Sequence, residues 1–370
     1  MENLEKQEVP VKGNFFQYAR VFFALLLFIF AIDLLTVGVG NINQGIALEI
    51  LNATKNPFIS LFIGLLVTAL IQSSSTVTAS VVAIVASGNL TLQQAVPIVL
   101  GANIGTTLTS TLVSLSYLMN KKEFRRALSA GISHDLFNIL SVILLFPLEI
   151  YFGFLSNTAS YIADWFASDN SFEGPIVYNR MFTRSWTEWL VYQINQPVLS
   201  MVLSIILVFF AIKVLSTAMY QSFVKNTFQD INKVIFQKTG LAFFYGLFFT
   251  AAVQSSTVTT SLVVPLVASK KVTLNKAFPF IIGANIGTTI TAVIASIYKP
   301  EAAIALALVH VLFNSLGALI FLPMPGIRKI PVGIANFMGK LSVRYRIVVF
   351  AYILLTFFIL PFLLIYLTQD

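Results

Sequence analysis

Two apolar stretches of this sequence carry nearly the same polar motif, 182 residues apart. The first reads Gln-Ser-Ser-Ser-Thr-Val-Thr at residues 72–78, and the second reads Gln-Ser-Ser-Thr-Val-Thr-Thr at 254–260. The segment Gly-Ala-Asn-Ile-Gly-Thr-Thr follows each motif at the same distance, at 101–107 and 283–289. Uncharged, hydroxyl-rich breaks inside paired hydrophobic segments indicate an internal repeat with a binding site between its two copies.

The composition identifies the chain as a membrane protein. Of its 370 residues 57% are apolar and 10% are charged, whereas about a quarter of the residues of a soluble protein are charged. The net charge of +8 does not indicate nucleic-acid binding, because the basic residues lie in short loops between apolar runs. The chain has no cysteine, which excludes disulfides and cysteine-based sites. We expect no cofactor and no transition-metal site.

Apolar windows of the length of a membrane helix predict about seven crossings. The first window lacks a small-residue cleavage site and is longer than a signal-peptide core, so we expect it to remain as a membrane helix. The predicted fold is an all-α polytopic membrane protein in the lipid bilayer. The windows lie near residues 19–39, 93–117, 131–154, 197–219, 276–298, 302–323 and 347–367.

Two further apolar stretches, 57–88 and 241–268, are longer than one crossing and shorter than two. The Gln-Ser-Ser motif interrupts each in its middle, where serine and threonine side chains compete for backbone hydrogen bonds and can open a helix. Irregular backbone at membrane depth is tolerated where it faces protein or a water-filled cavity. We therefore predict two re-entrant helical hairpins with the motif at each tip.

The hairpins decide the relative orientation of the repeats. If neither crosses the membrane, three crossings separate 19–39 from 197–219, so the second repeat is inverted. The predicted units are a cytoplasmic N-terminal segment 1–18, a first repeat 19–154, an extracytoplasmic loop 155–196, a second repeat 197–323, and a basic loop with a C-terminal membrane helix at 324–370.

The distribution of lysine and arginine favours a cytoplasmic N-terminus. With that orientation most basic residues, including the cluster at 121–126, lie on the inner side of the membrane, as the positive-inside rule requires. Seven crossings then leave the C-terminus outside. We expect a multi-pass protein of the plasma (inner) membrane. The basic residues predicted to lie outside are Lys55, Arg180, Arg184 and Lys299.

The two histidines of the chain, His134 and His310, are repeat partners. A catalytic histidine is needed once, so the duplication favours a structural or binding role, with each ring hydrogen-bonded to polar groups near a helix end. Asp135 has no acidic counterpart, because Val311 occupies the matching position. It is either a functional carboxylate within the membrane or a helix-entry cap beside a cytoplasmic loop.

A helix broken at mid-membrane exposes amides at one end and carbonyls at the other. The amide end suits an anion, and the carbonyls, together with glutamine and hydroxyl oxygens, suit a hard cation such as Na⁺. Neither motif contains a lysine or arginine, so an anion held there would need co-bound cations. The glycines at 101, 105, 283 and 287 are better explained by close helix packing.

These motifs, with Glu-Phe-Arg-Arg-Ala at 123–127 and His-Asp at 134–135, closely resemble the type II sodium–phosphate cotransporter family over roughly residues 15–325. The resemblance implies Na⁺-driven uptake of inorganic phosphate by alternating access, and no enzymatic activity. It also implies that the hairpin tips hold phosphate through Ser73, Ser74, Ser255 and Ser256, and Na⁺ through Gln254, Ser255, Thr288 and Thr291, with Gln72 at the symmetry-related position.

Family members that move net charge have an aspartate beside the histidine, so Asp135 implies a further Na⁺ site and electrogenic transport. This chain departs from the family in having Thr257 where the first motif has a third serine. Its loop at 155–196 also lacks the cysteines of animal relatives, and we expect no soluble C-terminal regulatory domain. The resemblance is therefore to a compact, bacterial-type member.

Other functions remain open. An Na⁺-coupled carrier for another small anion, such as a dicarboxylate or sulfate, would use the same kind of site. A channel is disfavoured because it needs a continuous polar path rather than two compact breaks. An intramembrane hydrolase with a Ser–His pair is disfavoured because the sequence has no Gly-x-Ser-x-Gly elbow and the serine motif is duplicated.

Overall fold

The computed structural model describes residues 15–168, 182–224, 234–297 and 299–367. Within these ranges the regular structure is entirely helical. Two π-helical turns lie at Tyr220–Val224 and Leu355–Ile359. In chain order the helices are α1 (Phe15–Gly40), α2 (Gln44–Ala53), α3 (Pro57–Ile71), α4 (Ser74–Ala86), α5 (Leu92–Leu115), α6 (Lys121–Phe152), α7 (Phe154–Ser168), α8 (Arg184–Ile194), α9 (Pro197–Met219), α10 (Thr239–Val253), α11 (Ser256–Ala268), α12 (Leu274–Thr288), α13 (Ile290–Ser296), α14 (Glu301–Phe321), α15 (Pro325–Arg344), α16 (Ile347–Leu354) and α17 (Leu360–Leu367).

Seven segments of the described chain are long and apolar enough to cross a bilayer, which confirms the predicted number. They are α1, α5, α6, α9, α12 with α13, α14, and α16 with α17. Helix α6 begins at Lys121, ten residues before the apolar window does. The Asn120 side chain caps it by accepting from the backbone N–H groups of Lys122 and Glu123, so the helix includes charged turns that a hydropathy window leaves out.

Both predicted hairpins are present, and both break at the Gln-Ser-Ser motif. Helix α3 ends at Ile71, where Gln72 adopts a left-handed backbone with φ of 58°, and Ser73 caps α4. Helix α10 ends in the same way, with Gln254 at φ of 57°, and Ser255 caps α11. The left-handed glutamine reverses the chain and the serine oxygen accepts a freed N–H, so each break satisfies part of its own backbone.

The first hairpin enters and leaves the membrane on one side. After α4, the Asn89 side chain donates to the carbonyl of Val39 at 3.1 Å, so the hairpin returns to the side where α1 ends. The Gln94 side chain at the start of α5 donates to the carbonyl of Leu51 at 2.8 Å, just before α3 begins. The four helix ends therefore share one side of the membrane, as a re-entrant hairpin requires.

Glycines let each hairpin pack against the helix that follows it. A Cβ on Gly101 would overlap the carbonyl oxygen of Leu61, and one on Gly283 would overlap that of Phe243. Because Gly105 lies against Leu65 in the same way, α3 and α5 run parallel with their backbones in contact. The expectation that these glycines serve close helix packing is confirmed.

The second repeat is inverted relative to the first. Its first helix, α9, runs antiparallel to α1, because Gly38 near the end of α1 lies against Ser200 near the start of α9. At the opposite ends, Arg20 donates to the side chain of Gln221 at 3.0 Å. The inversion predicted from three intervening crossings is therefore confirmed.

Two segments predicted as loops contain helices. The region 155–196 includes α7 and α8, with residues 169–181, and thus Arg180, outside the described part. Three fully or almost fully buried residues of α7, Leu155, Ala159 and Ala163, recur every four positions, and this face packs against α14. This 15-residue amphipathic pattern is too short to register in a hydropathy window of membrane length.

The basic loop predicted from residue 324 is also wrong, because most of it forms α15. Its buried residues include Pro331, Ala335 and Gly339, which recur every four positions along one face. That face packs on α6, where Gly339 lies against Arg125 and Ser129. The lysines and arginines that made the segment look like a loop occupy an amphipathic helix. At the other end of the chain, the predicted segment 1–18 is shortened by α1, which begins at Phe15.

A buried ion cluster that the sequence did not predict joins α8 to both repeats. Asp33 on α1 is fully buried, and its carboxylate is paired with Arg184 at 3.4 Å and with Lys299 at 3.5 Å. The hydroxyls of Thr183 and Thr187 each donate to it at 2.9 Å. Burial lowers the pKa of the Lys299 ammonium to about 8, and the charge of Asp33 opposes this shift.

We expect Asp33→Asn to destabilise the protein by about 3–5 kcal/mol, because it removes the carboxylate that the buried Lys299 shares with the partly exposed Arg184. The matched control is Glu188→Gln, which breaks an Arg184 pair whose carboxylate is half exposed and should cost about 1 kcal/mol or less. Thermal unfolding of the detergent-solubilised variants measures both. Equal midpoints for the two variants would contradict a structural role for the cluster.

Candidate functional site

The tips of the two hairpins contact each other. The hydroxyl of Ser75, at the start of α4, donates to the backbone carbonyl of Gln254 at 2.9 Å. Thr291 on α13 approaches the same hydroxyl at 3.5 Å. Ser75 belongs to the first copy, whereas Gln254 and Thr291 belong to the second. The candidate site therefore lies between the repeats, as the sequence predicts for inverted breaks.

The four serines predicted to bind phosphate lie at the two helix starts. Ser73 accepts from the N–H of Thr76 at 3.2 Å, and the N–H of Ser74 donates to the Thr106 hydroxyl at 3.2 Å. In the second copy Ser255 accepts from the N–H of Val258 at 3.4 Å. Like Ser74, Ser256 is almost completely buried. Hydroxyls and the positive ends of two helices therefore converge at the tips.

The residues predicted to bind Na⁺ present several oxygens there. The side-chain oxygen of Gln254 is buried and forms no hydrogen bond within the described residues. The hydroxyl of Thr288 is buried and donates to the carbonyl of Ala284 at 3.1 Å, which leaves its lone pairs available. Thr291 lies at the tip contact with Ser75. The structure thus brings Gln254 and Thr291 to the same contact through Ser75, whereas Thr288 donates to its own helix.

The symmetry-related residue of the first copy has a different environment. Gln72 has the same left-handed backbone as Gln254, but its side chain is exposed. Thr106, the counterpart of Thr288, accepts from the N–H of Ser74. The two tips are therefore unequal, and the second copy has the more enclosed set of oxygens.

One pair of residues at the tips was missed from the sequence. The hydroxyls of Thr68 and Thr250 are buried without a hydrogen-bond partner among the described residues, one helical turn before each glutamine. The backbone carbonyls of the same two threonines accept from the N–H groups of Gln72 and Gln254 at 2.7 and 2.6 Å. The repeat carries a signal for this pair, because the two threonines are 182 residues apart, like the motifs.

The two histidines cross-link the repeats. The Nε2 of His134 lies 2.6 Å from the side-chain oxygen of Asn285, and that of His310 lies 3.2 Å from the oxygen of Asn103. Each asparagine is the central residue of a Gly-Ala-Asn-Ile-Gly segment in the opposite repeat. Both histidines form the expected hydrogen bonds to polar groups, but they do so in the middle of α6 and α14 rather than near a helix end. Their partners explain why asparagine occurs in both copies.

One sequence difference between the two repeats makes their cross-links unequal. Ser110 lies 3.4 Å from Nδ1 of His134 and 3.0 Å from the hydroxyl of Thr260. The position equivalent to Ser110 in the second copy is Ala292, which has no hydroxyl. Correspondingly, Nδ1 of His310 and the hydroxyl of Thr78 are buried and lack partners within the described ranges.

Asp135 is not a helix-entry cap. It lies 14 residues after Lys121 in α6, or about 21 Å along the helix, and Asn120 is the cap. The carboxylate is fully buried. One oxygen, Oδ2, accepts from the hydroxyls of Thr111 and Tyr352, each at 2.9 Å. The other, Oδ1, forms no hydrogen bond in the described part of the chain.

Comparisons with known proteins agree with these features. The model of the family described as "Na+/Pi-cotransporter" matches residues 27–160 and 207–338, one segment in each repeat. The sodium-dependent phosphate transport protein 2B of Pongo abelii is 28% identical over 83% of this chain and 58% of its own length. The 2A protein of Rattus norvegicus is 30% identical over 83% of this chain and 60% of its own. No solved structure matches the chain.

This chain therefore spans somewhat more than half the length of these relatives. The 2A protein of Oryctolagus cuniculus is 28% identical over 97% of this chain and 70% of its own length. That alignment extends beyond the two segments matched by the family model, so similarity to the relatives is not confined to the repeated motifs.

We expect Ala292→Ser to stabilise the protein by about 1 kcal/mol, because a hydroxyl there would supply partners to His310 and Thr78. The matched variant Ser110→Ala should destabilise the protein, since it removes the equivalent hydroxyl from the first cross-link. Unfolding midpoints in detergent measure both effects. A lower midpoint for Ala292→Ser, beside an unchanged one for Ser110→Ala, would contradict the assignment of Ser110 as the source of the asymmetry.

Proposed function

This chain belongs to the Na+/Pi-cotransporter family, and we propose that it couples the entry of Na⁺ to the uptake of inorganic phosphate by alternating access. The observation that carries this proposal is the contact between the two hairpin tips, where Ser75 donates to the Gln254 carbonyl. Two inverted helix breaks that meet at one point offer both amide and carbonyl ends to a small site. An anion and a cation can then bind side by side.

Phosphate is proposed to bind at the helix starts through Ser73, Ser74, Ser255 and Ser256. Helix N-termini carry positive partial charge and unpaired amides, which suit an anion. The serine hydroxyls add donors, since a serine that accepts an N–H as a cap keeps its own hydrogen to donate. No lysine or arginine occurs in either motif, so this site would bind phosphate without a basic side chain.

Na⁺ is proposed to bind beside it through Gln254, Ser255, Thr288 and Thr291. The unpartnered oxygen of Gln254 supports this assignment, because a buried polar atom without a hydrogen bond is costly unless a ligand satisfies it. The unpartnered hydroxyl of Thr250 adds a possible ligand one turn earlier. Gln72 is the symmetry-related candidate, but its exposed side chain makes a weaker site.

Coupling follows from the charges of the proposed site. A phosphate held without lysine or arginine is balanced by the bound cation, so neither ion crosses efficiently alone. The inverted repeats supply the geometry for exchange between two equivalent states, one open to each side. The proposed repeats are residues 19–154 and 197–323, with the connecting segment 155–196 between them.

Asp135 is proposed to hold an additional Na⁺. A buried carboxylate in a membrane helix is expensive without a counter-charge, and one of its oxygens has no partner in the described chain. Divalent phosphate with two Na⁺ carries no net charge, so a third Na⁺ at Asp135 makes transport electrogenic. A membrane potential of 100 mV then adds about 2.3 kcal/mol per charge to the driving force.

The protein is a multi-pass membrane protein, and the plasma membrane is its proposed location. Basic clusters such as 121–126 favour a cytoplasmic side for the start of α6 and hence a cytoplasmic N-terminus. Helix α6 is 32 residues long, enough to cross the membrane, and it begins in that cluster. The tips proposed to bind phosphate are then reached from either side of the membrane as the two repeats exchange between their two states.

The first test is uptake of ³²P-phosphate into proteoliposomes with and without an inward Na⁺ gradient. We expect uptake above the equilibrium level with the gradient and little without it. A K⁺ gradient of the same size is the control for osmotic and electrical effects. Uptake that ignores Na⁺ would reject the proposal, and competition by sulfate or a dicarboxylate in preference to phosphate would favour a carrier of another anion.

Variants of the second tip should separate the two ligands. Ser256→Ala changes a serine proposed to bind the anion alone, and we expect the phosphate concentration for half-maximal uptake to rise about tenfold. Gln254→Ala and Thr291→Val remove cation ligands, so the Na⁺ concentration for half-maximal uptake should rise instead, and saturating Na⁺ should partly restore phosphate affinity.

The matched control is Thr217→Val, which removes an exposed hydroxyl on α9 and should change neither concentration. Membrane expression and the unfolding midpoint are measured for all variants. A fall in phosphate affinity in Gln254→Ala with unchanged Na⁺ dependence would mean that this residue serves the anion.

A further inference from the structure

The C-terminal membrane segment contributes directly to the environment of Asp135. Tyr352, on α16, donates its hydroxyl to Oδ2 of Asp135 at 2.9 Å. The two residues are 217 positions apart, and α16 lies beyond residue 338, where the match to the family model ends. This contact therefore comes from a part of the chain outside the two matched repeats.

The hydrogen bonds of Asp135 are divided unequally between its two oxygens. Oδ2 accepts from Thr111 on α5 as well as from Tyr352, so the carboxylate is held between two helices. Oδ1 is buried and has no hydrogen bond in the described residues. Thr107 lies close enough to interact with the carboxyl group, but its hydroxyl donates to the carbonyl of Ile104 at 2.7 Å.

The tyrosine ring is itself fixed. It packs edge-on against Phe357, with ring centroids 6.3 Å apart and an interplanar angle of 87°, and Phe357 is fully buried. The chain between α16 and α17 forms the π-helical turn Leu355–Ile359, which contains Phe357. Such turns interrupt α-helices at a cost and are frequent at functional sites. Here the turn places Phe357 beside the ring of Tyr352.

We propose that Tyr352 is a positioning residue for the cation site of Asp135. Its hydroxyl and that of Thr111 saturate Oδ2 and orient the carboxylate, so that Oδ1 faces the cation. The C-terminal segment thereby sets the Na⁺ affinity of a site built by the first repeat. This inference rests on the proposed function, because it requires that Asp135 binds Na⁺.

Tyr352→Phe tests the proposal, because it removes the hydroxyl and keeps the ring that packs on Phe357. We expect the Na⁺ concentration for half-maximal uptake to rise about tenfold, as for the loss of one hydrogen bond to a charged group. The phosphate concentration for half-maximal uptake at saturating Na⁺ should not change. Tyr366→Phe, which alters an exposed tyrosine on the same segment, is the matched control and should behave as wild type.

A double-mutant cycle separates positioning from general packing. If Tyr352 acts through Asp135, then Tyr352→Phe should have no further effect in the Asp135→Asn background. A binding measurement that does not depend on transport, the Na⁺-induced rise in the unfolding midpoint of the purified protein, should be smaller in Tyr352→Phe. Equal additional losses of Na⁺ affinity in both backgrounds would overturn the inference.

The outcomes also distinguish this inference from the proposed function. A wild-type protein whose phosphate uptake and unfolding midpoint both ignore Na⁺ rejects the two together. A wild type that depends on Na⁺, beside a Tyr352→Phe variant with the same Na⁺ dependence and the same midpoint shift, rejects the role of Tyr352 alone.

Discussion

Two helix breaks must be satisfied at membrane depth, and the rest of the structure depends on how this is done. Water is absent from the hydrocarbon region, so each backbone group released by a break needs a partner within the protein. The left-handed glutamine and the capping serine satisfy part of each break locally. The Ser75 contact to the Gln254 carbonyl joins the breaks to each other. The buried side-chain oxygens of Thr68, Thr250 and Gln254 lie next to the breaks and have no hydrogen-bond partner within the described residues, so ligands can bind there.

Close backbone packing and polar cross-links hold the breaks in place. Each hairpin lies against its following helix through glycines, which removes the side-chain volume that would separate them. The His134–Asn285 and His310–Asn103 pairs then tie each repeat to the other. Because Ala292 has no hydroxyl, the second cross-link has fewer hydrogen bonds than the first, so the two cross-links differ in strength.

Much of the fold follows from hydropathy and from the repeat. Segment lengths and the position of the polar motif are sufficient to predict the seven crossings and the hairpins. An odd number of crossings between equivalent helices is sufficient to predict the inversion. The errors have a common cause, which is that short amphipathic helices such as α7 and α15 have no membrane-length apolar window. The interpretation of Asp135 as a cap is wrong for a related reason. The charged turns at 121–126 lie outside the apolar window, so α6 begins earlier than the window indicates.

By itself, the sequence determined where the polar breaks lie and which residue types they contain, since helix interruption and membrane length are local properties of the chain. Only the tertiary structure decided which groups face each other across the repeats. The pairing of Asp33 with Lys299, and of Asp135 with Tyr352, joins residues more than 200 positions apart. These contacts are fixed by helix packing over the whole molecule. Periodicity and local propensity carry no information on contacts between residues so far apart in the sequence. An aspartate in an apolar segment is therefore recognisable as unusual from the sequence, but its partners are not.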